Sequence, residues 1–341
     1  MNPAFERAAD ERVNWIKNIP FILVHLVPFA AFYTGVKRFD LLLCIALYLS
    51  RMFFITGGYH RYFSHRAYKM GRVMQFLMAF GGATAAQKGP LWWAGHHRHH
   101  HKYSDSPEDI HSPLKVFCWS HVGWIMCNKY NATEFDAIKD FAKFPELRLL
   151  NRFHLVPPIM LGVACFLAGG WSALVTGFFL STVLVYHGTF FINSLTHLFG
   201  RRRYVTTDTS RNSLILALVT LGEGWHNNHH YYQSTANQGF FWWEIDISYY
   251  VLRVLSFFRL VHDLRTPPEH VLEANRIRDG YIDIGMFQAN WAKAVTSLES
   301  ARHGASAYYE QRRRAVDELV ESTRAAAIRI SKMSIKAPAD S

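Results

Sequence analysis

Apolar residues of this chain gather in four stretches that polar segments separate. Only Lys37 and Arg38 divide the first two stretches, and an uncharged turn around Gly169 and Gly170 divides the last two. A helix of about 20 apolar residues crosses the hydrocarbon core of a bilayer. The pattern therefore predicts an all-α integral membrane protein with four transmembrane helices in two hairpins. The predicted spans are about 19–36, 39–55, 155–167 and 174–191.

The same pattern divides the chain into three predicted parts. We expect a cytosolic N-terminal segment over 1–18 without a cleaved signal peptide, a membrane domain over 19–265, and a charged helical tail over 266–341. The run 240–261 is rich in aromatic residues but also carries charged ones, so it predicts a helix at the membrane interface. Charges at helical spacing in the tail are typical of a solvated helix, and also of a basic helix on lipid or on a partner.

The distribution of charge predicts which side of the membrane the polar segments occupy. Lysine and arginine are abundant between the two hairpins and after the fourth stretch, whereas the hairpin turns carry two or none. Since positively charged loops tend to stay in the cytoplasm, we expect the polar segments there. The formal net charge of +11 suits anionic lipid headgroups or a phosphate-bearing substrate. No nucleic-acid-binding motif accompanies it, so the sequence predicts no nucleic acid partner.

Cysteine usage adds one constraint on the compartment. The four cysteines are scattered and form no paired framework, which indicates packing residues in a reducing compartment. They are Cys44, Cys118, Cys127 and Cys165.

Histidines form three clusters within the polar segments. They are His60 with His65, then His97, His100 and His101, and finally His226, His229 and His230. Neutral imidazole is a common ligand of transition metals, and eight imidazoles exceed what one ion uses, so the sequence predicts two metal ions. Because positions i, i+3 and i+4 of a helix share a face, we expect each trio to hold one ion from one side.

The first cluster has a less regular spacing. His60 and His65 are five residues apart, which is about 140° around an ideal helix. Both can reach one centre only if the helix ends or unwinds near one of them, or if another element bends inward.

A ninth candidate ligand, His197, follows the fourth apolar stretch. Asn193 lies four residues earlier and therefore on the same helical face, where it could hold a metal-bound water. His96, His99, His111 and the other remaining histidines lack this spacing, so we expect structural roles for them. Trp92, Trp93 and Trp225 lie close to the clusters and could line the site or anchor the chain at the interface.

A carboxylate-bridged two-metal site is an alternative hypothesis. Glu108 with His111 and Glu223 with His226 both have the Glu-x-x-His spacing of di-iron helix bundles. Prolines flank the first pair and glycines interrupt the second, which disfavours the helices that such a site needs.

Five motifs stand in order at 58–69, 97–105, 120–124, 193–200 and 222–230. In this arrangement the sequence resembles the membrane-bound fatty acyl desaturases, most closely the stearoyl-CoA (delta-9) type and its bacterial relatives. The resemblance runs from about residue 53 to residue 264. It implies four membrane helices with a cytosolic helical cap, a bent hydrophobic tunnel for an acyl chain, and a bacterial inner membrane location.

The resemblance also implies the chemistry of the site. It implies two Fe²⁺ ions, dioxygen, two electrons and a new cis double bond, with Asn193 holding an iron-bound water. The implied iron ligands are His60, His65, His97, His100, His101, His197, His226, His229 and His230. No part of the sequence resembles a fused cytochrome b5 domain, so we expect a separate electron donor of the ferredoxin or cytochrome b5 type with its reductase.

One departure from the family pattern affects the substrate. Animal acyl-CoA desaturases carry an Arg-Asp pair directly before the second cluster, where this chain has Gly95 and His96. The acyl carrier is therefore open between CoA, acyl carrier protein and a membrane lipid. Two alternative functions also stay open: a lipid hydroxylase or other oxygenase using the same histidines, and a non-enzymatic histidine-rich metal carrier or sensor.

Overall fold

The computed structural model describes residue 8, residues 10–277 and, near the C-terminus, residues 299, 302, 306 and 308–324. The chain forms two compact units, one of Ala4–Gln288 and one that combines Met1–Pro3 with Ala289–Ser341. In the second unit, residues 308–324 are helical and exposed. Much of the predicted tail over 266–341 lies outside the described residues.

The regular secondary structure of the first unit is almost entirely helical. Its α-helices are α1 (Ile19–Leu26), α2 (Ala31–Thr34), α3 (Arg38–Phe53), α4 (Arg72–Ala83), α5 (Pro90–Tyr103), α6 (Lys139–Ala142), α7 (Pro145–Arg152), α8 (Val156–Ser172), α9 (Ser181–Ser194), α10 (Leu214–Val219), α11 (His226–Tyr231), α12 (Ile247–Phe257) and α13 (Glu269–Glu273). Three π-helices, Phe54–Ser64, Trp119–Gly123 and Ala173–Leu180, and four 3₁₀-helices, Val27–Ala30, Asn128–Tyr130, Phe135–Ile138 and Leu195–His197, complete the helical part. The strands β1 (Lys69–Met70) and β2 (Val261–His262) pair antiparallel, with Lys69 opposite His262.

Two helices of the described chain are long and apolar enough to cross a membrane, Arg38–Ser64 and Val156–His197. The first is α3 with the π-helix that continues it, so the helix predicted to end near residue 55 runs to Ser64. Ile19–Thr34 is a shorter apolar helix, with a 3₁₀ turn that contains Pro28.

The long apolar helix from Val156 to His197 is sharply bent. Its 42 residues would measure about 63 Å if straight, twice the thickness of a hydrocarbon core of about 30 Å. Gly170 interrupts it with a φ of +71°, which favours glycine. Gly162 before the bend lies against Phe178 after it, since a Cβ at Gly162 would be 3.5 Å from that ring. The two apolar segments around Gly170 therefore pack side by side as a hairpin.

Two arginines, the buried Arg61 and the half-buried Arg98, fix the segments that carry the histidines. The Arg61 guanidinium is 1% exposed and forms ion pairs with Glu223, at 3.1 Å, and with Asp246, at 2.9 Å. Arg98 donates to the backbone carbonyls of Phe63, at 2.7 Å, and Ser64, at 2.8 Å. A buried charge of this kind is retained only where it is paired. The two arginines thus join the π-helix before His65 to the segments around the second and third histidine clusters.

The aromatic run predicted to lie at the membrane interface forms a short amphipathic helix. α12 buries Leu252 completely, whereas Phe257 at its C-terminal end is 83% exposed. Trp242, which precedes the helix, is 88% exposed. Exposed aromatic side chains beside a polar face are typical of an interfacial segment.

Candidate metal centre

A π-helix brings His60 and His65, which are five residues apart in the sequence, to the same side. The segment Phe54–Ser64 is wound as a π-helix, and His65, which follows it, donates its backbone N–H to the carbonyl of His60 at 3.2 Å. In this i to i+5 pattern, residues five apart lie one above the other. The rings of His60 and His65 are accordingly 4.9 Å apart. The helix ends at Ser64, directly before His65, so it does end near one of the two histidines, and the wider π winding before that end brings both rings to the same side.

Five histidines converge on one point, and we call them the five-histidine cluster. Their ligand nitrogens all lie within 4.8 Å of one another, and the members are His60, His65, His97, His101 and His229. The Nε2 atom of His229 is 3.0 Å from that of His60 and 2.9 Å from that of His101. The Nε2 atoms of His65 and His97 are 3.0 Å apart. The cluster draws on the π-helix segment, α5 and α11.

Three further histidines, His100, His197 and His230, form a second group with ligand atoms within 4.8 Å of one another, which we call the three-histidine cluster. His226 packs beside it, with ring centroids 4.3 Å from His230 and 5.2 Å from His197. The rings of His101 and His230 are 4.5 Å apart, so the two clusters adjoin each other.

The expectation that each trio holds one ion from one side is wrong for this fold. His97 and His101 belong to the five-histidine cluster, whereas His100, between them, belongs to the three-histidine cluster. Of the last three histidines in the sequence, His229 belongs to the five-histidine cluster and His230 to the three-histidine cluster. Because α5 and α11 each present histidines to both clusters, one helix serves two neighbouring centres.

Carboxylates hold the outward ring nitrogens of several cluster histidines. Nδ1 of His100 donates to Asp109 at 3.0 Å, and Nδ1 of His60 contacts the carboxylate of Glu223. A metal-binding histidine commonly donates its other ring nitrogen to a carboxylate, which fixes the ring orientation. The Nε2 atoms of these histidines are therefore left to face the interior of the clusters.

A second pair of carboxylates serves His230 and His197 of the three-histidine cluster. Nδ1 of His230 donates to Asp208 at 2.7 Å. Nδ1 of His197 donates to Thr209 at 3.1 Å, and the Thr209 hydroxyl donates to Asp105 at 2.9 Å. Sequence reasoning did not single out Asp105, Asp109 or Asp208, and it considered Glu223 only as a metal ligand in the alternative two-metal site. The available signal in the sequence was that Asp105, Asp109 and Glu223 lie within a few residues of the second or third histidine cluster.

The donor set fits transition-metal ions. Two ligand atoms at right angles, each about 2.1 Å from one ion, are about 3.0 Å apart, which matches the separations of 2.9–3.0 Å in the five-histidine cluster. In the three-histidine cluster, Nε2 of His197 and of His230 are buried and lack a hydrogen-bond partner within the described chain, as do both ring nitrogens of His226. Buried polar atoms without partners are rare, and bound ions would satisfy them.

The protonation states agree with metal binding. Burial lowers the pKa of His97, His101 and His229 well below the ordinary range, and neighbouring imidazoles lower it further. A histidine must be neutral to bind a metal. The lowered pKa of these three histidines favours the form that binds a metal.

The alternative site built on paired glutamates is not assembled. Glu108 is exposed and accepts a hydrogen bond from Ser106 at 2.8 Å. Glu223 is buried but is bound to Arg61 and to the outward nitrogen of His60. Both carboxylates are thus occupied away from the interior of the histidine clusters.

The histidines expected to be structural behave differently from one another. His96 bonds the carbonyl of Trp92 at 2.8 Å, and His99 lies 3.2 Å from Glu134, away from the clusters. His111 instead lies against His100, with ring centroids 4.2 Å apart, and groups with His100 and Asp109 as potential metal ligands. Sequence spacing gave no sign of this, because a bend after α5 brings His111 back to that helix.

A large cavity of about 1010 Å³ reaches the five-histidine cluster. His97 and Asn193 line it, and so do Trp92 and Trp93, two of the three tryptophans considered for this role. Trp225 is not among the lining residues and donates its indole N–H to Ile245 at 2.8 Å. The rest of the wall comes mostly from the apolar segments around α1, α8 and α9. The cavity thus runs from the histidines into the apolar part of the fold.

Two adjoining histidine clusters at the end of an apolar cavity, in a chain with membrane-type helices, define a membrane-associated metalloprotein that acts on an apolar ligand. Residues 39–275 match the family described as fatty acid desaturase. The chain belongs to this family. It is an acyl desaturase and therefore an oxidoreductase, as the resemblance implied.

Individual relatives agree with this assignment. The chain is 37% identical over 222 residues to the sn-1 stearoyl-lipid 9-desaturase of Synechocystis sp., covering 63% of this chain and 68% of the relative. It is 34% identical over 257 residues to the sn-1 stearoyl-lipid 9-desaturase of Anabaena variabilis, covering 74% and 94%. It is also 34% identical over 230 residues to the acyl-CoA C20 Delta5-desaturase of Anemone leveillei, covering 66% and 74%.

Proposed function

We propose that this desaturase introduces a cis double bond at the delta-9 position of a saturated acyl chain, using dioxygen and two electrons at two histidine-bound Fe²⁺ ions. The observation that carries the proposal is the direct contact between site and cavity. His97 belongs to the five-histidine cluster and also lines the wall of the 1010 Å³ cavity. An acyl chain in this cavity would lie against the metal centre.

The two clusters supply the ligands for the proposed ions. The five-histidine cluster would hold one ion, and His100, His197, His226 and His230 would hold the other. Asn193, which lines the cavity, would hold a water bound to the second ion. Two iron ions with nitrogen ligands would supply the activation of dioxygen that is needed to remove hydrogen from a saturated carbon chain.

The protein's own contribution is to position the chain and exclude water. An unactivated C–H bond offers no group for acid or base catalysis, so rate depends on holding two adjacent methylene groups beside the centre. Trp93 stacks on His97 with ring centroids 4.9 Å apart, and both line the cavity. This contact would fix the ring of His97 and the depth at which the acyl chain passes it.

The proposed topology has four membrane spans and a cytosolic helical cap. The bend at Gly170 supports two spans within Val156–His197, and Ile19–Thr34 with Arg38–Ser64 would form the other hairpin. The three-part division at 1–18, 19–265 and 266–341 belongs to the same proposal. Lysine and arginine outside the hairpin turns support a site facing the cytoplasm, here in a bacterial inner membrane.

We propose a membrane lipid as the acyl carrier. Gly95 and His96 stand where the animal acyl-CoA enzymes have an Arg-Asp pair, and the His96 ring is 2% exposed and bonded to Trp92. Two relatives are named as stearoyl-lipid desaturases. Lys17 and Lys88 line the cavity together with Asn131, and they would face the headgroup. CoA and acyl carrier protein thioesters are the competing carriers.

Expression in a bacterial host that lacks unsaturated fatty acids tests the function. Gas chromatography with mass spectrometry should find a new delta-9 cis double bond, first in glycerolipid and later in other pools. A hydroxylated product would instead assign the chain to the oxygenases of the same superfamily. Absence of any new product from iron-loaded protein supplied with reductant would refute the proposal, and exchangeable zinc or copper without oxygen consumption would indicate a metal carrier.

A further inference from the structure

The motif at 120–124 contributes no ligand to either histidine cluster, yet it contacts a segment that ends beside them. Most of the motif lies in the π-helix Trp119–Gly123, which packs against α9. α9 ends at Ser194, one residue after Asn193 and three residues before His197. The motif therefore adjoins the end of α9 that carries residues proposed for the second ion.

Ser120 of this motif holds the backbone of Asn193. Ser120 is fully buried, and its hydroxyl donates to the carbonyl of Asn193 at 2.6 Å. That carbonyl is one of the last four of α9, which an α-helix leaves without an intrahelical donor. Asn193 lines the large cavity, and its side-chain amide forms no hydrogen bond with any residue that the structure describes. The position of this amide therefore depends on the backbone that Ser120 holds.

His121 holds the next residue of α9, Ser194. The Ser194 hydroxyl donates to the carbonyl of Phe190 at 3.0 Å, so its oxygen accepts from Nδ1–H of His121, also at 3.0 Å. Nε2 of His121 is then left as an acceptor, and it lies 3.0 Å from Nδ1 of His187 on α9. Because the partner of one ring nitrogen sets where the other carries its proton, His187 fixes the tautomer in which His121 donates to Ser194.

The winding of the motif explains why both side chains reach α9. Consecutive side chains of an α-helix point about 100° apart, whereas a π-helix turns less at each residue because its hydrogen bonds join i to i+5. The N–H of Trp124 donates to the carbonyl of Trp119 at 3.2 Å in this pattern. Ser120 and His121 therefore contact α9 side by side.

Trp124 connects the other end of the motif to α5. Its ring stacks on that of Trp92, with centroids 5.7 Å apart and planes inclined by 6°. Trp92 lies on α5, which also carries His100, and His197 lies in the 3₁₀-helix that follows α9. The motif thus joins two elements that would supply ligands to the second ion.

We propose that Ser120 and His121 are positioning residues, which hold the C-terminal end of α9 so that the side-chain amide of Asn193 faces the second ion. The inference rests on the proposed function, in which Asn193 holds a water bound to that ion. Neither Ser120 nor His121 lines the large cavity, so both act only through their hydrogen bonds to α9. A small displacement of a group beside the reacting atoms is enough to lower the rate strongly.

Two substitutions at His121 separate hydrogen bonding from packing. His121→Phe keeps a ring that stacks between Phe117 and His187 but removes the donor. His121→Asn loses the ring but keeps an N–H donor, because its amide nitrogen is as many bonds from Cα as Nδ1 of histidine. We expect kcat for desaturation to fall about 10-fold to 100-fold in His121→Phe, with KM for the lipid unchanged, and to recover largely in His121→Asn.

Mössbauer spectra of ⁵⁷Fe-loaded protein, recorded before dioxygen is supplied, give a readout that does not depend on turnover. The signal of one of the two irons should change in His121→Phe and return toward that of wild type in His121→Asn. Ser120→Ala removes the other donor and should change the same signal, so it provides the test if His121→Phe does not fold. His262→Phe is the matched control, since His262 is exposed on β2 and lies in neither cluster.

Wild-type spectra and wild-type kcat in both His121→Phe and Ser120→Ala would overturn the inference. An asparagine variant that is no better than the phenylalanine variant would overturn it as well, because the ring of His121 would then act by packing alone. Absence of a new double bond from the wild-type protein would instead refute the desaturase function. The spectra of the variants would still decide the positioning role in that case.

Discussion

Nδ1 of His230 lies 2.7 Å from Oδ2 of Asp208, and the Nε2 atom on the opposite side of the ring is buried without a partner in the described chain. The carboxylate therefore fixes which nitrogen faces the three-histidine cluster. His100 with Asp109, and His60 with Glu223, repeat the relationship. These carboxylates orient imidazoles, and each would raise the basicity of the ligand it holds.

Asp208→Asn should weaken metal binding without unfolding the protein. The amide can still accept from His230, but it removes the negative charge that strengthens the ligand. Loss of such a partner typically costs about 10-fold to 100-fold in metal affinity. Retention of iron during titration with a chelator measures the effect. Asp136→Asn is the control because its carboxylate is 95% exposed, and equal retention by the two variants would contradict the assigned role.

His101→Ala should abolish desaturation, whereas His99→Ala should largely spare it. Nε2 of His101 is 2.9 Å from that of His229 inside the five-histidine cluster, but His99 points toward Glu134 and the backbone of Glu108. Both positions lie on α5, so the pair controls for general damage to that helix. Product yield and iron content should be measured together. Equal losses of product yield and iron content in both variants would contradict the assignment of His101, and not of His99, to the five-histidine cluster.

Gly82→Ala should destabilise the segment that carries His60. A Cβ at Gly82 would lie 2.3 Å from the ring of Tyr59, which is fully buried and adjoins His60 in the chain. Overpacking of this kind costs about 1–3 kcal/mol. Thermal unfolding in detergent should show the loss, and Gly162→Ala is the control, because its new Cβ makes only ordinary contact at 3.5 Å. Similar melting temperatures for the two variants would argue against close packing at Tyr59.

Arg51→Met should change the chain lengths that the enzyme accepts. Arg51 is 1% exposed in α3 and donates to Thr182 at 2.7 Å, and Thr182 lines the large cavity. A charged group buried in an apolar helix that is long enough to cross a membrane is costly and usually functional. Thr182 keeps a partner in the variant, since its hydroxyl also donates to the carbonyl of Phe178 at 2.7 Å. The wall should therefore shift without collapse of the helix pair.

Fatty acid analysis of host lipids measures that effect. The ratio of long to short unsaturated products should differ between Arg51→Met and wild type. Ser50→Ala provides the control, because Ser50 is exposed on the same helix and its hydroxyl donates to the carbonyl of Leu47. An unchanged product ratio in the Arg51 variant would show that the Arg51 side chain does not determine which chain lengths the large cavity accepts.

The sequence predicted the identity of the clustered histidines better than their grouping. Spacing along one helix shows which side chains share a broad face, and it drew attention to His97, His100 and His101. It does not show that α11, which bears His229 and His230, approaches this face. Nor does it show that the histidines of α5 and of α11 are each divided between the two clusters. The division depends on how α5 and α11 meet, which is a tertiary relationship.

Two further features lay beyond the reach of sequence patterns. The π-helix that brings His60 and His65 together departs from the 3.6-residue period on which the spacing argument relied. Asp208 reaches His230 from a loop 22 residues earlier in the chain. Apolar runs, by contrast, predicted helices well, because backbone polar groups away from water must be hydrogen-bonded within the protein, and a helix does this within a single segment. The observed helix ends differ from the predicted ones, most clearly for the helix that was predicted to end near residue 55 and ends at Ser64.

Metal analysis of the purified, full-length protein tests the central claim most directly. Two adjoining histidine clusters predict about two irons per chain, retained through purification and lost in parallel with desaturase activity on chelation. A single ion per chain, or readily exchanged zinc or copper in a protein that still forms the double bond, would contradict the two-iron account.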